Sequence, residues 1–175
     1  MSNLIKTKFK DLIIIKNNFF SDKRGKLVLG INFMRLKKKF VYEYTSTSQK
    51  NVFRGFHYQY KQKQGKLITV LYGQIIDCVI DLREKSKTYK KNFKIRLSSK
   101  NNKSLYIPPG FAHGYYVLEN NTIVNCKQTN VFNPKYEKGI IWNDPGLKLR
   151  WKFKKPILSL KDKNQPKFNV DRHLA

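Results

Sequence analysis

The run from Lys66 to Leu82, KLITVLYGQIIDCVIDL, restricts the fold more than any other stretch. β-Branched and aromatic residues alternate on both sides of Tyr72-Gly73-Gln74, the pattern of two strands joined by a tight turn. The same pattern recurs along the chain. Asp11 to Phe20 contains the apolar run LIII, and Leu27 to Phe33 is a strand broken by Gly30. Phe40–Ser48, Asn92–Leu97, Ser104–Ile107, Tyr115–Leu118 and Thr122–Thr129 read as further strands. Turn formers separate them: Asp22-Lys23-Arg24-Gly25, Ser98 to Lys103, Pro108-Pro109-Gly110 and Asn120-Asn121. Helical periodicity is nearly missing; Met34–Lys39 and the C-terminal end hold at most short helices. The spacing predicts an all-β sandwich or barrel. At 175 residues the chain reads as one domain, 1–175, with a polar tail from about residue 167.

Polar groups on strands are costly unless they face a cavity or a partner. Asn51 to Leu71 concentrates them: Arg54, His57, Gln59 and Lys66 lie within one short span. Of the three histidines, His57 and His113 each sit beside glycine and aromatics, between a turn and a strand; His173 is near the end and is expected to be solvent-exposed. Asp77 falls in the middle of an apolar strand. A neutral histidine suits proton abstraction near pH 7, given a carboxylate to orient it and a cation to hold the resulting anion. An HxH metal motif is missing, because the residue two after His57 is Gln59, so no metal is expected.

Cys78 and Cys126 are far apart, which argues for a reducing cytoplasm without disulfides or zinc. The first residues, MSNLIKTKF, lack the apolar segment of a signal peptide, and no stretch reaches membrane-span length. The formal net charge is +26. Nucleic acid or an acidic membrane is one reading of it. Compositional drift is the other, favoured here because Lys, Asn, Ile, Phe and Tyr, all with AT-rich codons, are abundant together and the lysines are scattered. An anionic substrate would gain from the positive field under either reading.

The motifs RGFHYQ, QGKL, DCVIDLR, IPPGFAHGY, NPKYEKGIIWNDP and PILSLKDKNQP occur in an order and spacing that resemble the dTDP-4-dehydrorhamnose 3,5-epimerase family, from about Ile5 to Pro166. The resemblance implies a cupin-type jelly roll with short peripheral helices, a homodimer with exchanged N-terminal strands, a nucleoside-diphosphate 4-keto sugar as substrate, and no cofactor. It implies that His57 is the base, Asp162 its carboxylate partner, and Lys66 the cation near the enolate oxygen. Arg54 and His113 match residues that contact sugar and diphosphate, and Arg24 matches an arginine that reaches the neighbouring subunit's substrate. Gln59, Glu137 and Lys161 match polar positions at the pocket, with Asp77 behind them.

Two positions depart from the family pattern. The family's acid tyrosine is replaced by Cys126, in Asn125-Cys126-Lys127, and Val131 and Phe132 stand where further tyrosines are usual. A thiol could still donate a proton, but from a shorter side chain; the other reading is a small buried apolar residue. The expected reaction is therefore epimerisation at C3 alone. The family's QDNHS run is replaced by Tyr42-Glu43-Tyr44-Thr45-Ser46, and Leu29 stands where a glutamate is usual. Thymine recognition is thus open, and Tyr42 or Tyr44 could stack on a larger base such as guanine. Alternatives are the full 3,5-epimerase of dTDP-4-keto-6-deoxyglucose, a GDP-4-keto-heptose or hexose epimerase, a 3,4-ketoisomerase, and a non-enzymatic basic binding module.

Overall fold

The structure, a computed structural model, describes residues 2–153 and 155–169; His173 lies outside them. The strands in chain order are β1 (Asn3–Lys6), β2 (Ile13–Lys16), β3 (Asn18–Asp22), β4 (Gly25–Leu29), β5 (Tyr42–Ser48), β6 (Phe53–Gln59) and β7 (Lys66–Tyr72). They continue as β8 (Gln74–Asp81), β9 (Asn92–Ser98), β10 (Lys103–Ile107), β11 (Phe111–Val117), β12 (Thr122–Gln128) and β13 (Glu137–Gly139). Helices α1 (Phe33–Leu36) and α2 (Leu160–Lys163) are one turn each. Among the described residues no helix is long and apolar enough to cross a membrane.

The strands form a six-stranded sheet, β1-β2-β10-β7-β12-β5, a five-stranded sheet, β13-β6-β11-β8-β9, and a separate hairpin, β3-β4. All the paired strands are antiparallel. The period-2 pleat sends alternate residues inward. Ile68 and Val70 of β7, Leu105 and Ile107 of β10, and Val124 of β12 meet Ile75 and Val79 of β8, Leu97 of β9, and Tyr115 and Val117 of β11. This cluster is the core between the sheets, and the jelly-roll architecture follows from it. A second cluster lies where Ile140, Leu147 and Leu149 pack with Phe53, Phe56, Cys78 and Ile80, outside that inter-sheet core.

Three local boundaries differ from the sequence reading. The expected strand 11–20 is two strands, because Asn17 turns aside: its N–H donates to the Asn102 carbonyl (2.8 Å) and its amide to Ser104 Oγ (3.0 Å). The strand expected over 27–33 stops at Leu29, and Asn32 instead caps α1 by accepting from the Met34 N–H. Strand β11 begins at Phe111, not Tyr115, because pairing with Asp81 starts at once after the Pro-Pro-Gly turn. His57 and His113 consequently lie inside strands, directly opposite one another on β6 and β11.

These two strands approach closely through Gly55. Its φ is +121°, and a Cβ there would stand 2.6 Å from Gly114 Cα and 2.7 Å from the His113 carbonyl oxygen. Only glycine satisfies both conditions. Gly55→Ala is expected to cost about 2 kcal/mol or more of unfolding free energy, read from the denaturant midpoint.

Candidate active site

Strand β6 places Phe56 and Tyr58 in the second apolar cluster, on either side of His57. His57 Nε2 lies 2.6 Å from Asp162 Oδ1. Asp162 is held by its place in α2, where its N–H donates to the N-cap hydroxyl of Ser159 at 3.0 Å. Burial pushes the Asp162 carboxyl up, but hydrogen bonding and charge from His57, with help from Ser159 and the Gly55 N–H, outweigh burial and hold it below the usual range. Asp162 is therefore a carboxylate that accepts the Nε2 proton. That fixes the tautomer and leaves Nδ1 with its lone pair. Glu137 Oε1 is 3.8 Å from Nδ1, and Glu137 also pairs with Lys161.

Lys66, the first residue of β7, is 7% exposed, and its Nζ lies 3.4 Å from the His57 carbonyl. Burial lowers its pKa, opposed by the acidic groups of Cys126, Glu137 and Asp77. A buried cation beside a base is suited to hold an oxyanion that forms during reaction.

A second histidine–carboxylate pair lies alongside. His113 Nε2 is 2.8 Å from Asp77 Oδ2, with side chains 4% and 0% exposed. Asp77 Oδ1 is buried without a hydrogen-bond partner among the described residues. The pair sits inside the sheet next to His57 and supplies negative charge near Lys66.

The opposite wall comes from the six-stranded sheet. Register places Tyr42, Gln128 and Lys66 in one cross-strand row and Tyr44, Cys126 and Ile68 in the next. Tyr42, Tyr44, His57, Lys66, Gln128 and Glu137 line a cavity of about 250 Å³. Cys126 is 1% exposed; its Sγ accepts from Gln128 Nε2 at 3.9 Å, and Tyr44 faces it across the strand pair. Burial pushes the Cys126 thiol up, opposed in part by Lys66.

The structure thus brings together His57, Asp162, Lys66, Glu137, Gln59, Tyr42 and Tyr44, with Lys161 on the carboxylate of Glu137. Gln59 is already engaged, its amide donating to the Gln62 carbonyl and its oxygen accepting from the Asn133 N–H. Arg54 donates from Nε to Ser48 Oγ (3.0 Å) and is exposed beside this wall. Arg24 is elsewhere, at the exposed tip of the β3–β4 hairpin, paired with Asp22 at 2.6 Å. Gln64, Gln128 and Phe132 also line the cavity and were not expected there. For Gln128 a signal existed: it lies two residues from Cys126 and so on the same face of a strand. Gln64 comes from a loop, where no periodicity announces direction.

A profile of the family described as dTDP-4-dehydrorhamnose 3,5-epimerase matches residues 6–170. The chain belongs to this family. It is 39% identical over 168 residues to dTDP-4-dehydrorhamnose 3,5-epimerase of Methanothermobacter thermautotrophicus, covering 91% of each chain. It is 36% identical over 173 residues to the Shigella flexneri enzyme, covering 95% of this chain and 96% of that one. Among solved structures, the Legionella pneumophila 3,5-epimerase in complex with dTDP-4-keto-L-rhamnose superposes with a TM-score of 0.91 at 35% identity, over 95% of this chain and 93% of that one. The Bacillus anthracis enzyme with TDP and pyrophosphate bound gives 0.92 at 34%, over 96% and 100%. The epimerase is accordingly an isomerase acting on a sugar.

Holding Lys66 charged in this site costs stability. Its folded pKa is depressed, so between that value and the ordinary one the unfolded chain binds more protons and stability rises with pH. Lys66→Met is expected to gain about 1–2 kcal/mol at neutral pH, to flatten that alkaline rise, and to abolish turnover. Thermal melts across pH, beside an activity assay, check both effects.

Proposed function

We propose that this epimerase inverts C3 of a 4-keto sugar carried on a nucleoside diphosphate. The observation that carries the reading is the His57–Asp162 pair, 2.6 Å apart, with buried Lys66 behind it in one cavity. A C–H beside a ketone is weakly acidic, so its removal needs a placed base and a stabilised oxyanion. His57 Nδ1 takes the proton, the C–H electrons form an enolate with oxygen at C4, and Lys66 offsets the oxyanion's charge. Protonation from the opposite face then inverts the carbon. His113 and Asp77 hold the adjoining strand and balance Lys66.

Support for a nucleotide sugar comes from the relatives, whose structures hold dTDP-4-keto-L-rhamnose or TDP. Support for C3 alone is the loss of the family's tyrosine at Cys126, the residue on which inversion of the second carbon is expected to rely. The aromatic rings of Tyr42 and Phe132 at the cavity offer surfaces for the nucleobase. A homodimer with exchanged N-terminal strands accords with the β3–β4 hairpin, where Phe20, Leu27 and Leu29 are exposed in the single chain. Arg24 at its tip would then serve the partner's site.

Proton NMR in deuterated buffer, with a panel of nucleoside-diphosphate 4-keto sugars, tests the reaction. Deuterium is expected at C3 with inversion, and C5 keeps its configuration. Inversion at both carbons would rule out the restriction to C3. His57→Asn is expected to slow exchange at least about 100-fold with the fold retained.

A further inference from the structure

Inversion requires a proton donor across the sugar ring from His57, and the donor's identity rests on the epimerase reading above. His57 belongs to the five-stranded sheet, so a donor on the other side of the cavity comes from the six-stranded one. Three groups of that sheet bear directly on the cavity with a proton acidic enough to give up: Lys66, Tyr42 and Tyr44. Lys66 reaches back to the His57 carbonyl at 3.4 Å, which places it on the base's side. Tyr42 is the first residue of β5, opposite Gln128. Tyr44 lies one row further in, directly opposite Cys126 in the pairing of β5 with β12. Cys126 is itself 1% exposed.

We infer that Tyr44 is the proton donor, delivering its hydroxyl proton to C3 from the face opposite His57. The tyrosine and the thiol occupy facing positions on neighbouring strands, so Tyr44 serves C3 from β5 while position 126 holds no tyrosine for the second carbon. Tyr44 is 38% exposed as a residue, but desolvation of its hydroxyl, reinforced by Cys126 and Tyr115 and opposed by Arg54, holds its pKa well above the ordinary value, which keeps it protonated at neutral pH.

The protons and electrons balance without a redox partner. The C3–H bond breaks, its proton bonds to His57 Nδ1, and its electrons form the C3–C4 double bond of the enolate. The Tyr44 O–H bond then breaks, its proton bonds to C3, and the enolate electrons restore the ketone. Imidazolium and tyrosinate remain, and proton exchange with water resets both. Arg54 stands where it can offset the transient tyrosinate.

Tyr44→Phe separates abstraction from return. In deuterated buffer this variant is expected to keep washing deuterium into C3, by return from His57 on the original face, while inversion falls at least about 100-fold. Cys126→Ala removes the thiol and keeps the hydroxyl, and is expected to lose less than about 10-fold of inversion. Undiminished inversion in Tyr44→Phe overturns the assignment, as does a 100-fold loss in Cys126→Ala beside an active Tyr44→Phe. Loss of exchange and inversion together at an unchanged melting temperature would make Tyr44 a binding group and also overturn it. If the wild-type protein exchanges no proton with any 4-keto nucleotide sugar, the epimerase reading itself fails and this assignment falls with it.

Discussion

Packing of the two sheets against each other sets everything else in the molecule. Facing sheets stand roughly 10 Å apart, a gap that side chains must fill or leave as a pocket. Here the inward-facing rows change character along the strands. On β7 the inward residues run Val70, Ile68, Lys66; on β12, Val124, Cys126, Gln128. On β11 they run Val117, Tyr115, His113, and on β8 Asp77 lies between the core residues Ile75 and Val79. The apolar end closes the barrel and fixes the spacing. The polar end inherits that spacing as a cavity whose walls cannot move independently.

The base is tied to this frame from outside it. Asp162 comes from a one-turn helix 105 positions further along the chain, docked on β6. The Ser159 cap holds the turn, and the turn holds the carboxylate against Nε2. A loop residue could supply the same charge but not the same direction. The short C-terminal helix thus orients the imidazole.

Most strands were legible because β-branched and aromatic alternation is strong and turn residues are abundant; β7 and β8 begin and end close to where the pattern places them. The boundaries that moved were decided by side-chain hydrogen bonds, of Asn17 and Asn32, which hydrophobic periodicity does not encode. Within the site, His57, Lys66 and Asp162 were legible through the motif resemblance, and the 2.6 Å contact gives that pairing its geometry. The relation of Tyr44 to Cys126 was hidden, since it depends on the register between β5 and β12, strands 82 positions apart. Spacing along one strand says which residues share a face; it does not say which residue of another strand stands beside them.

Among the described residues Lys66 is the one lysine in the buried set, although lysine and arginine together number 37. The other described lysines and arginines lie at or near the protein's skin, where one cation substitutes for another with little effect on the interior. Mutational drift in base composition can therefore load the surface with positive charge and leave the chemistry unaltered. Overall charge and the chemistry of the site are thus carried by separate sets of residues in this fold.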